Sequence, residues 1–304
     1  MREKAAKTPA QDGTAPLNGF DYWTGNQSLN GPAWHLHAGD ARTVLDALAP
    51  DYVSCVVTSP PYFWQRDYNV AGQIGLESSV EAYVQSVCDV MQGVRRVLHP
   101  EGVLFLNLGD TYYSAKGRPH GHDPKHNGRR FKVLRAVDTS GLGKPQKSLL
   151  GMPWRVALAM IDRGWILRAP IIWRRENAIP EPNVKDRPWR TYEFVFLFSK
   201  TRNYQFQRGP LKSAGVEDVW TIESRPNGGK GHPAAFPPEL VRRCLKLGNP
   251  TKGLVLDPFA GSGTVLSVAS ELGMPAIGID LNPAFCRKIV EDMGLAKNCA
   301  NGSL

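Results

Sequence analysis

The sequence predicts an α/β fold in which a mostly parallel sheet is covered by helices on both faces. Short β-branched apolar runs such as Val53–Thr58 alternate with longer segments of helical periodicity such as Val80–Leu98. A glycine-rich turn, residues 257–264, links a buried strand to a helix. The 304 residues, 42% of them apolar, are enough to build one large core.

In the first half of the chain, strand and helix patterns alternate at short intervals. Residues 34–48 predict a short strand, a turn and a helix. The apolar run Val53–Thr58 is typical of a buried strand. A helix is predicted over Val80–Leu98, because its apolar residues share one face, and a strand follows over Val103–Leu108.

The second half continues the alternation after a long interruption. Pro153 in a first turn and Gly164 just beyond the last turn predict a helix between them. The remaining predicted elements are strands over residues 166–173 and 192–198, a helix over 237–247, a strand over 254–257, a helix over 264–272 and a strand over 276–280. Ligands of such sheets bind beyond the carboxyl ends of the strands, where we expect the site.

The composition also separates a folded domain from less regular segments. Residues 1–30 are expected to be a flexible leader, residues 31–293 the domain and residues 294–304 a tail. Within the domain, Gly, Pro, His and basic residues dominate residues 110–148, which we interpret as an inserted loop with a function, because long loops inside a domain usually have one. A polar stretch over residues 200–231 precedes the helix expected at 237.

Several classes of protein and site are disfavoured. No apolar run approaches the length of a membrane span, and the N-terminus lacks the apolar stretch of a signal peptide, so we expect a cytoplasmic protein. The five cysteines are scattered, which argues against structural disulfides and a cysteine-based zinc site. His120, His122 and His126 have no accompanying set of carboxylates or cysteines, so no metal site is expected.

The positive charge of the chain is concentrated in one segment. Residues 115–147 contain nine Lys and Arg against two acidic residues, which supplies seven of the nine net positive charges. A basic segment of this kind suits a polyanionic partner, because neutralising phosphates releases counterions. The segment therefore predicts contact with nucleic acid.

The turn Asp257-Pro-Phe-Ala-Gly-Ser-Gly-Thr264 has the properties of a cofactor-binding loop. Gly261 and Gly263 allow the backbone to approach a ligand closely, and the N–H groups at the following helix start suit a carboxylate. Asp280 ends the next strand, which is the usual place for a carboxylate that accepts hydrogen bonds from ribose hydroxyls. On spacing alone, a nicotinamide cofactor or a purely structural turn remains an alternative.

The second candidate loop, Thr58-Ser59-Pro60-Pro61-Tyr62, directly follows a predicted buried strand. The hydroxyl of Ser59 and a backbone carbonyl of the loop can accept hydrogen bonds from an exocyclic amine, which frees the amine lone pair for attack. Two prolines stiffen the loop, and Tyr62 offers a flat face for stacking. The predicted catalytic residues are Ser59, Pro60, Pro61 and Tyr62.

Together the two loops resemble the motifs of the β class of DNA amino-methyltransferases, in which the catalytic motif precedes the cofactor motif, a permuted order. The resemblance extends from about residue 35 to 293 and includes Arg66-Asp67-Tyr68 and the segment 72–77. It implies a Rossmann-like methyltransferase sheet with one reversed strand and S-adenosylmethionine as the cofactor. The implied cofactor-binding residues are Asp40, Thr58, His232, Phe236, Pro237, Asp257, Phe259, Gly261, Ser262, Gly263, Thr264, Asp280 and Asn282.

In this family, Ser-Pro-Pro-Tyr is similar to the cytosine-N4 enzymes and Asp- or Asn-Pro-Pro-Tyr to the adenine-N6 enzymes, so we favour cytosine N4 and keep adenine N6 as the alternative. The target base must leave the double helix, which requires anchors on the DNA backbone. Residues 200–231 are interpreted as a short recognition segment. The candidate DNA-binding residues are Lys116, Arg118, Arg129, Arg130, Lys132, Arg135, Arg174, Arg175, Lys185 and Arg187.

Other functions remain as alternatives to DNA methylation. An RNA or protein amino-methyltransferase would place its cofactor motif first, and a catalytically idle DNA-binding protein need not keep both motifs intact. The resemblance implies double-stranded DNA as a partner, allows a cognate restriction endonuclease, and is compatible with a monomer or a homodimer.

Overall fold

The computed structural model describes residues 21–25, 33–113, 142–178, 181, 184–208, 217–224 and 237–293. Their strands are β1 (Asp21–Gly25), β2 (Trp34–Ala38), β3 (Val53–Thr58), β4 (Leu98–Leu108), β5 (Ile166–Arg175), β6 (Tyr192–Ser199), β7 (Val219–Ile222), β8 (Val255–Asp257) and β9 (Ala276–Asp280). Their helices are α1 (Ala41–Ala47), α2 (Val80–Val97), α3 (Met152–Asp162), α4 (Pro238–Gly248), α5 (Thr264–Glu271) and α6 (Pro283–Asp292).

All nine described strands form one sheet in the order β1-β2-β9-β8-β3-β4-β6-β5-β7. The five strands from β2 to β4 pair in parallel, and β6 runs antiparallel to both of its neighbours. This confirms the predicted mostly parallel sheet with a reversed strand. A second reversal, at the edge strand β1, was not predicted.

The two faces of the sheet carry separate hydrophobic clusters, as expected for a sheet covered by helices on both sides. Val56 and Leu104 belong to the cluster that packs against α1, α2 and α3. Their neighbours Cys55, Val57 and Phe105 belong to the cluster that packs against α4, α5 and α6. This alternation follows from the two-residue period of a strand, which sends successive side chains to opposite faces of the sheet.

The structure corrects three parts of the predicted organisation. Residues 21–25, assigned to a flexible leader, form β1, because five residue pairs join them to β2. Residues 219–222, assigned to a polar recognition segment, form β7 with Trp220 buried in the core beside β5. Helix α6 was not predicted; Asn282 caps its first turn by accepting from the Ala284 N–H, and Pro283 occupies its start.

Neither a membrane span nor a metal-binding cluster occurs within the described part of the chain. No helix there is long and apolar enough to cross a membrane. No group of three or more His, Cys, Asp or Glu side chains in those ranges could hold a metal ion.

Candidate active site

A cavity of about 430 Å³ lies beyond the carboxyl ends of the central strands, within the size range of small-molecule sites. Both predicted loops line it, since Ser59 to Tyr62 and Phe259 to Ser262 share its wall. Further residues that line it are Asp40, Tyr68, Asn107, Gly109, Arg175, Glu181, Arg190, Glu193, Asp257, Thr264, Asp280, Leu281, Asn282 and Phe285. The sheet therefore brings the two loops together, although they are far apart in the sequence.

A buried hydrogen bond joins the two loops at their bases. The Thr58 hydroxyl donates to Asp257 Oδ1 at 2.7 Å, and both residues are almost completely buried. The same carboxylate oxygen accepts the Phe259 N–H at 3.0 Å. Thr58 was predicted to bind cofactor, but its side chain is buried below the cavity wall and braces the loops instead.

The turn after β8 takes a conformation that suits glycine. Gly261 and Gly263 have φ values of 54° and 75°, in the left-handed region that other residues rarely adopt. Asp280 holds the turn, because its Oδ2 accepts the Gly261 N–H at 2.8 Å while its Oδ1 accepts the Asn282 N–H at 2.8 Å. The carboxylate at the end of β9 therefore lies at the cavity wall with both oxygens anchored.

Two further features complete this end of the cavity. Asp40 caps α1 through the Arg42 N–H, and its hydrogen bonds with the Arg42 side chain hold the pKa of the carboxyl below its usual range. Phe259, Leu281 and Phe285 supply apolar wall, and the ring of Tyr68 meets the Phe285 ring edge-on at 6.1 Å. Carboxylates beside an apolar wall can hold a ligand that has both hydroxyl groups and an aromatic base.

Burial raises the pKa values of the two carboxyl groups at the strand ends. The pKa of Asp257 is raised to about 7 and that of Asp280 to about 6, in both cases chiefly because the charged form is poorly solvated. Hydrogen bonds from Thr58 and the backbone partly oppose the shift at Asp257. Both groups therefore change charge near neutral pH.

The pKa of Asp257 predicts how stability depends on pH. A pKa raised in the folded state contributes stability that is present below the unfolded value, near 4, and lost as pH rises through about 7. Asp257→Asn mimics the neutral acid and keeps an oxygen for Thr58 and Phe259. At pH 8 we expect the free energy of unfolding of this variant to exceed that of the wild type by about 3 kcal/mol. At pH 4 we expect the two free energies to be equal.

Urea unfolding of the ligand-free protein at pH 4, 6 and 8 would measure this difference. Asp46→Asn, at an exposed position on α1, is the matched control and should follow the wild type at every pH. Equal pH dependence in wild type and Asp257→Asn would contradict the prediction.

The other end of the cavity contains a directed chain of hydrogen bonds. The Tyr62 hydroxyl donates its single proton to Glu193 Oε2 at 2.7 Å, and the Ser59 hydroxyl lies 3.3 Å from the Tyr62 oxygen, to which it donates. Asn107 supports the carboxylate through its Nδ2, which is 3.3 Å from the same Glu193 oxygen. Because the proton of Ser59 is directed to Tyr62, the lone pairs of Ser59 remain available as acceptors.

The position of the Tyr62 ring depends on Gly109 at the end of β4. A Cβ atom at Gly109 would come within 2.5 Å of the ring, so only glycine permits this contact. Burial is the main reason that the pKa of the Tyr62 phenol is raised well above its usual value. The phenol therefore stays protonated, and stacking of its ring on a base stays a prediction.

The predicted DNA-binding residues fall into four groups. Lys116, Arg118, Arg129, Arg130, Lys132 and Arg135 lie outside the described residues. Arg174 and Lys185 are exposed, whereas Arg175 lines the cavity. Arg187 lies over the Tyr112 ring at 3.8 Å and pairs with Glu181, so part of its charge is already engaged.

Only some of the predicted cofactor residues line the cavity. His232 and Phe236 lie outside the described residues. Among the others, Gly263 and Pro237 do not line the cavity: Gly263 packs below it against Ile289, and Pro237 precedes α4 as its N-cap. The members that line the cavity are Asp40, Asp257, Phe259, Gly261, Ser262, Thr264, Asp280 and Asn282.

Sequence reasoning missed Asn107 and Glu193. Each lies in a strand whose neighbours are apolar, and a polar residue that interrupts such a run was the available signal. Their meeting depends on the antiparallel pairing of β4 with β6, which no local pattern revealed.

Comparisons with known proteins agree with this geometry. A family model described as DNA methylase matches residues 53–291. The chain is 40% identical over 279 residues to the Type II methyltransferase M.XycI of Xanthomonas campestris pv. cyanopsidis, covering 90% of this chain and 91% of the relative. It is 40% identical over 256 residues to the Type II methyltransferase M.SmaI of Serratia marcescens, covering 81% and 86%.

Solved structures share the fold at lower identity. The PvuII DNA methyltransferase (cytosine-N4-specific) aligns with a TM-score of 0.66 and 22% identity, over 87% of each chain. The complex of M1.HpyAVI with SAM aligns with a TM-score of 0.57 and 15% identity, over 86% of this chain and 98% of that one. At these identities the likeness shows the fold.

Proposed function

Since the chain belongs to the DNA methylase family, we propose that it transfers a methyl group from S-adenosylmethionine to the exocyclic N4 amine of a cytosine flipped out of double-stranded DNA. The observation that carries the proposal is the single cavity lined by both Ser59 to Tyr62 and the turn 257–264. A methyl donor held at one loop and an amine held at the other would face each other across this cavity.

The residues at the β8–β9 end fit S-adenosylmethionine. Asp280 would accept the ribose hydroxyls, and Phe259, Leu281 and Phe285 offer the apolar wall that an adenine ring requires. The left-handed turn at Gly261 lets backbone N–H groups approach the ligand closely. When bound, the cofactor supplies an electrophilic methyl group on a sulfonium.

At the other end, the chain prepares an amine for attack. The amine lone pair is delocalised into the base ring, and accepting its N–H protons leaves the nitrogen more tetrahedral. Ser59 can accept one N–H because its own proton is directed to Tyr62, and a carbonyl of the proline-stiffened loop can accept the other. The extra proton can leave after transfer, so no base with a shifted pKa is required.

The choice of cytosine over adenine rests on the Ser59-Pro-Pro-Tyr62 tetrapeptide. Its first residue is serine, as in the cytosine-N4 enzymes that it resembles. Adenine N6 is the alternative, because serine, aspartate and asparagine oxygens can all accept from either amine.

A digest of methylated DNA tests the proposed reaction directly. Plasmid DNA free of methylation is incubated with the purified chain and S-adenosylmethionine, digested to nucleosides and weighed. We expect N4-methyl-2′-deoxycytidine as the product. N6-methyl-2′-deoxyadenosine would establish the alternative. Cofactor binding by titration without any methylated nucleoside would exclude catalysis on this DNA.

A catalytically idle DNA-binding protein is the second alternative. It would need neither the anchored Asp280 nor the directed Ser59 hydroxyl. Isothermal titration with S-adenosylmethionine separates the two cases, because an idle protein need not bind the cofactor.

We further propose that the basic segment over residues 115–147 anchors the DNA backbone. Replacing Arg129, Arg130 and Lys132 together with glutamine is expected to weaken DNA binding and to flatten its dependence on salt, because fewer counterions are released. Fluorescence anisotropy at several salt concentrations measures this slope. An unchanged slope would mean that the three residues do not contact phosphate.

The names of the relatives support a proposal for the biological setting. Because several of them are named Type II methyltransferases, we propose that the chain protects DNA within a restriction–modification pair, with a cognate endonuclease as a functional partner. A cytoplasmic location and a monomeric or homodimeric state remain predictions. Fractionation of cells that express the chain would test its location. Sedimentation of the purified chain would test its oligomeric state.

A further inference from the structure

We propose that Arg175, positioned by Glu193, donates hydrogen bonds to the ring acceptors of the flipped base and thereby selects cytosine over adenine. The proposal rests on the function proposed above and extends it to base choice. Arg175 was predicted from the sequence as a DNA-binding residue, without any link to a base pocket. Its position in the cavity wall makes it a candidate for reading the base itself.

The backbone and the guanidinium of Arg175 are both fixed. Arg175 ends β5, where its N–H donates to the Thr191 carbonyl at 2.7 Å. Its Nη2 donates to the Arg190 carbonyl at 2.7 Å, and its Nη1 lies 3.5 Å from Glu193 Oε1. With a quarter of the side chain exposed, the guanidinium is held in the wall rather than free in solvent.

Donor capacity nevertheless remains on this guanidinium. An arginine has five N–H groups, and the two contacts just described occupy only part of them. Nε is buried and has no hydrogen-bond partner among the described residues. Because Nε is buried, the donors that a base in the cavity can reach are the unused N–H groups on Nη1 and Nη2.

Glu193 connects Arg175 to the catalytic loop. One of its oxygens accepts from Tyr62 and the other faces Arg175, so the carboxylate sets the position of both side chains. It also balances the charge of a guanidinium that is largely withdrawn from water. Glu193 is therefore a positioning residue that relates the amine acceptor Ser59 to the donor Arg175.

This arrangement matches one base better than the other. With its N4 amine at Ser59, cytosine presents two neighbouring acceptors, N3 and O2, on the same edge. Adenine presents one acceptor, N1, next to its N6 amine, followed by a C–H group. A planar guanidinium can donate to both acceptors of cytosine, and adenine would leave a donor unpaired, which is a strong basis for discrimination.

The test removes one acceptor from the base and the donor from the protein. The target sequence is first mapped on methylated plasmid DNA, and duplexes are then made with cytosine or 3-deazacytosine at the target position. For the wild type, we expect kcat/KM to fall at least tenfold on the analogue. For Arg175→Gln, we expect a loss of about 30-fold on cytosine but a further loss of less than threefold on the analogue.

Three controls separate this effect from structural damage and from phosphate contact. Arg202→Gln removes the same charge at an exposed position outside the cavity wall, and should show the same fall in kcat/KM on the analogue as the wild type. Glu193→Gln should reduce the fall in kcat/KM on the analogue, as Arg175→Gln does. It therefore provides a second test if Arg175→Gln fails to fold. Titration with S-adenosylmethionine should give wild-type affinity for each variant.

The outcomes distinguish this inference from the proposed function. If kcat/KM falls equally on the analogue in the wild type and in folded Arg175→Gln, the inference is overturned while cytosine methylation stands. If that fall in kcat/KM is unchanged in Arg175→Gln while the salt dependence of DNA binding is reduced, Arg175 contacts a phosphate instead. Failure of the wild type to methylate cytosine in the first arm overturns the proposed function before any variant is compared.

Discussion

Asp280→Asn is expected to weaken the binding of S-adenosylmethionine about 100-fold. Both carboxylate oxygens of Asp280 accept backbone N–H groups, from Gly261 and from Asn282. The amide nitrogen of asparagine is a donor only, so it would face one of these N–H groups and disturb the turn. The substitution also removes a charged acceptor for the ribose, and hydrogen bonds to charged groups are worth about 1.5–3 kcal/mol each.

Titration calorimetry at pH 8 would measure the loss, with Asp46→Asn as the control at an exposed position of α1. The wild type should itself lose affinity as pH falls through about 6, because the pKa of Asp280 is raised to about 6 and its carboxylate is protonated below that pH. The variant has no such group and should show a flatter pH profile. An affinity within threefold of the wild type at pH 8 would remove Asp280 from the cofactor site.

The elements around this site were predictable because their signals are local. The strands β3 and β8 are apolar runs, and the loops that follow them carry motifs with a chemical reason for each residue. Their approach to each other was also predictable, because parallel strands bring their carboxyl ends to the same edge of the sheet. The hydrogen bond from Thr58 to Asp257 is a direct consequence of the pairing of β3 with β8.

The parts that sequence reasoning missed depend on distant contacts. β1 and β7 are short, and their patterns are weak; each is a strand because an edge of the sheet offers it hydrogen bonds. Glu193 is 131 residues from Tyr62, and no spacing rule joins them. A single glutamate in the sequence is interpreted as a surface charge until the antiparallel strand β6 is placed next to β4.

This difference explains why the cofactor end was predicted more completely than the base end. Most of the cofactor end is built from consecutive residues of one strand–turn–helix unit and the next strand end, with Asp40 and Phe285 added from elsewhere. The base end is assembled from β4, β5, β6 and the Ser59 loop, with contacts that cross three strands. Base choice should therefore respond to substitutions at positions that no motif identifies.

Ser59→Ala is expected to lower kcat about 100-fold while leaving the affinity for S-adenosylmethionine unchanged. The Ser59 hydroxyl donates a hydrogen bond to Tyr62, whose hydroxyl donates to Glu193. The lone pairs of Ser59 are therefore already oriented as acceptors. Removing one oriented group that acts mainly in the transition state costs about 3 kcal/mol by analogy with other enzymes. Cofactor binding should be spared, because the anchored turn at Gly261 does not involve Ser59.

Single-turnover methylation would measure the chemical step, and titration calorimetry the cofactor affinity. Ser78→Ala, at an exposed serine before α2, is the matched control. Ser59→Asn restores an acceptor oxygen, so it should recover part of the rate if hydrogen bonding to the amine is the cause, whereas a purely structural role would leave it as slow as alanine. A wild-type single-turnover rate in Ser59→Ala would mean that the loop carbonyl alone activates the amine.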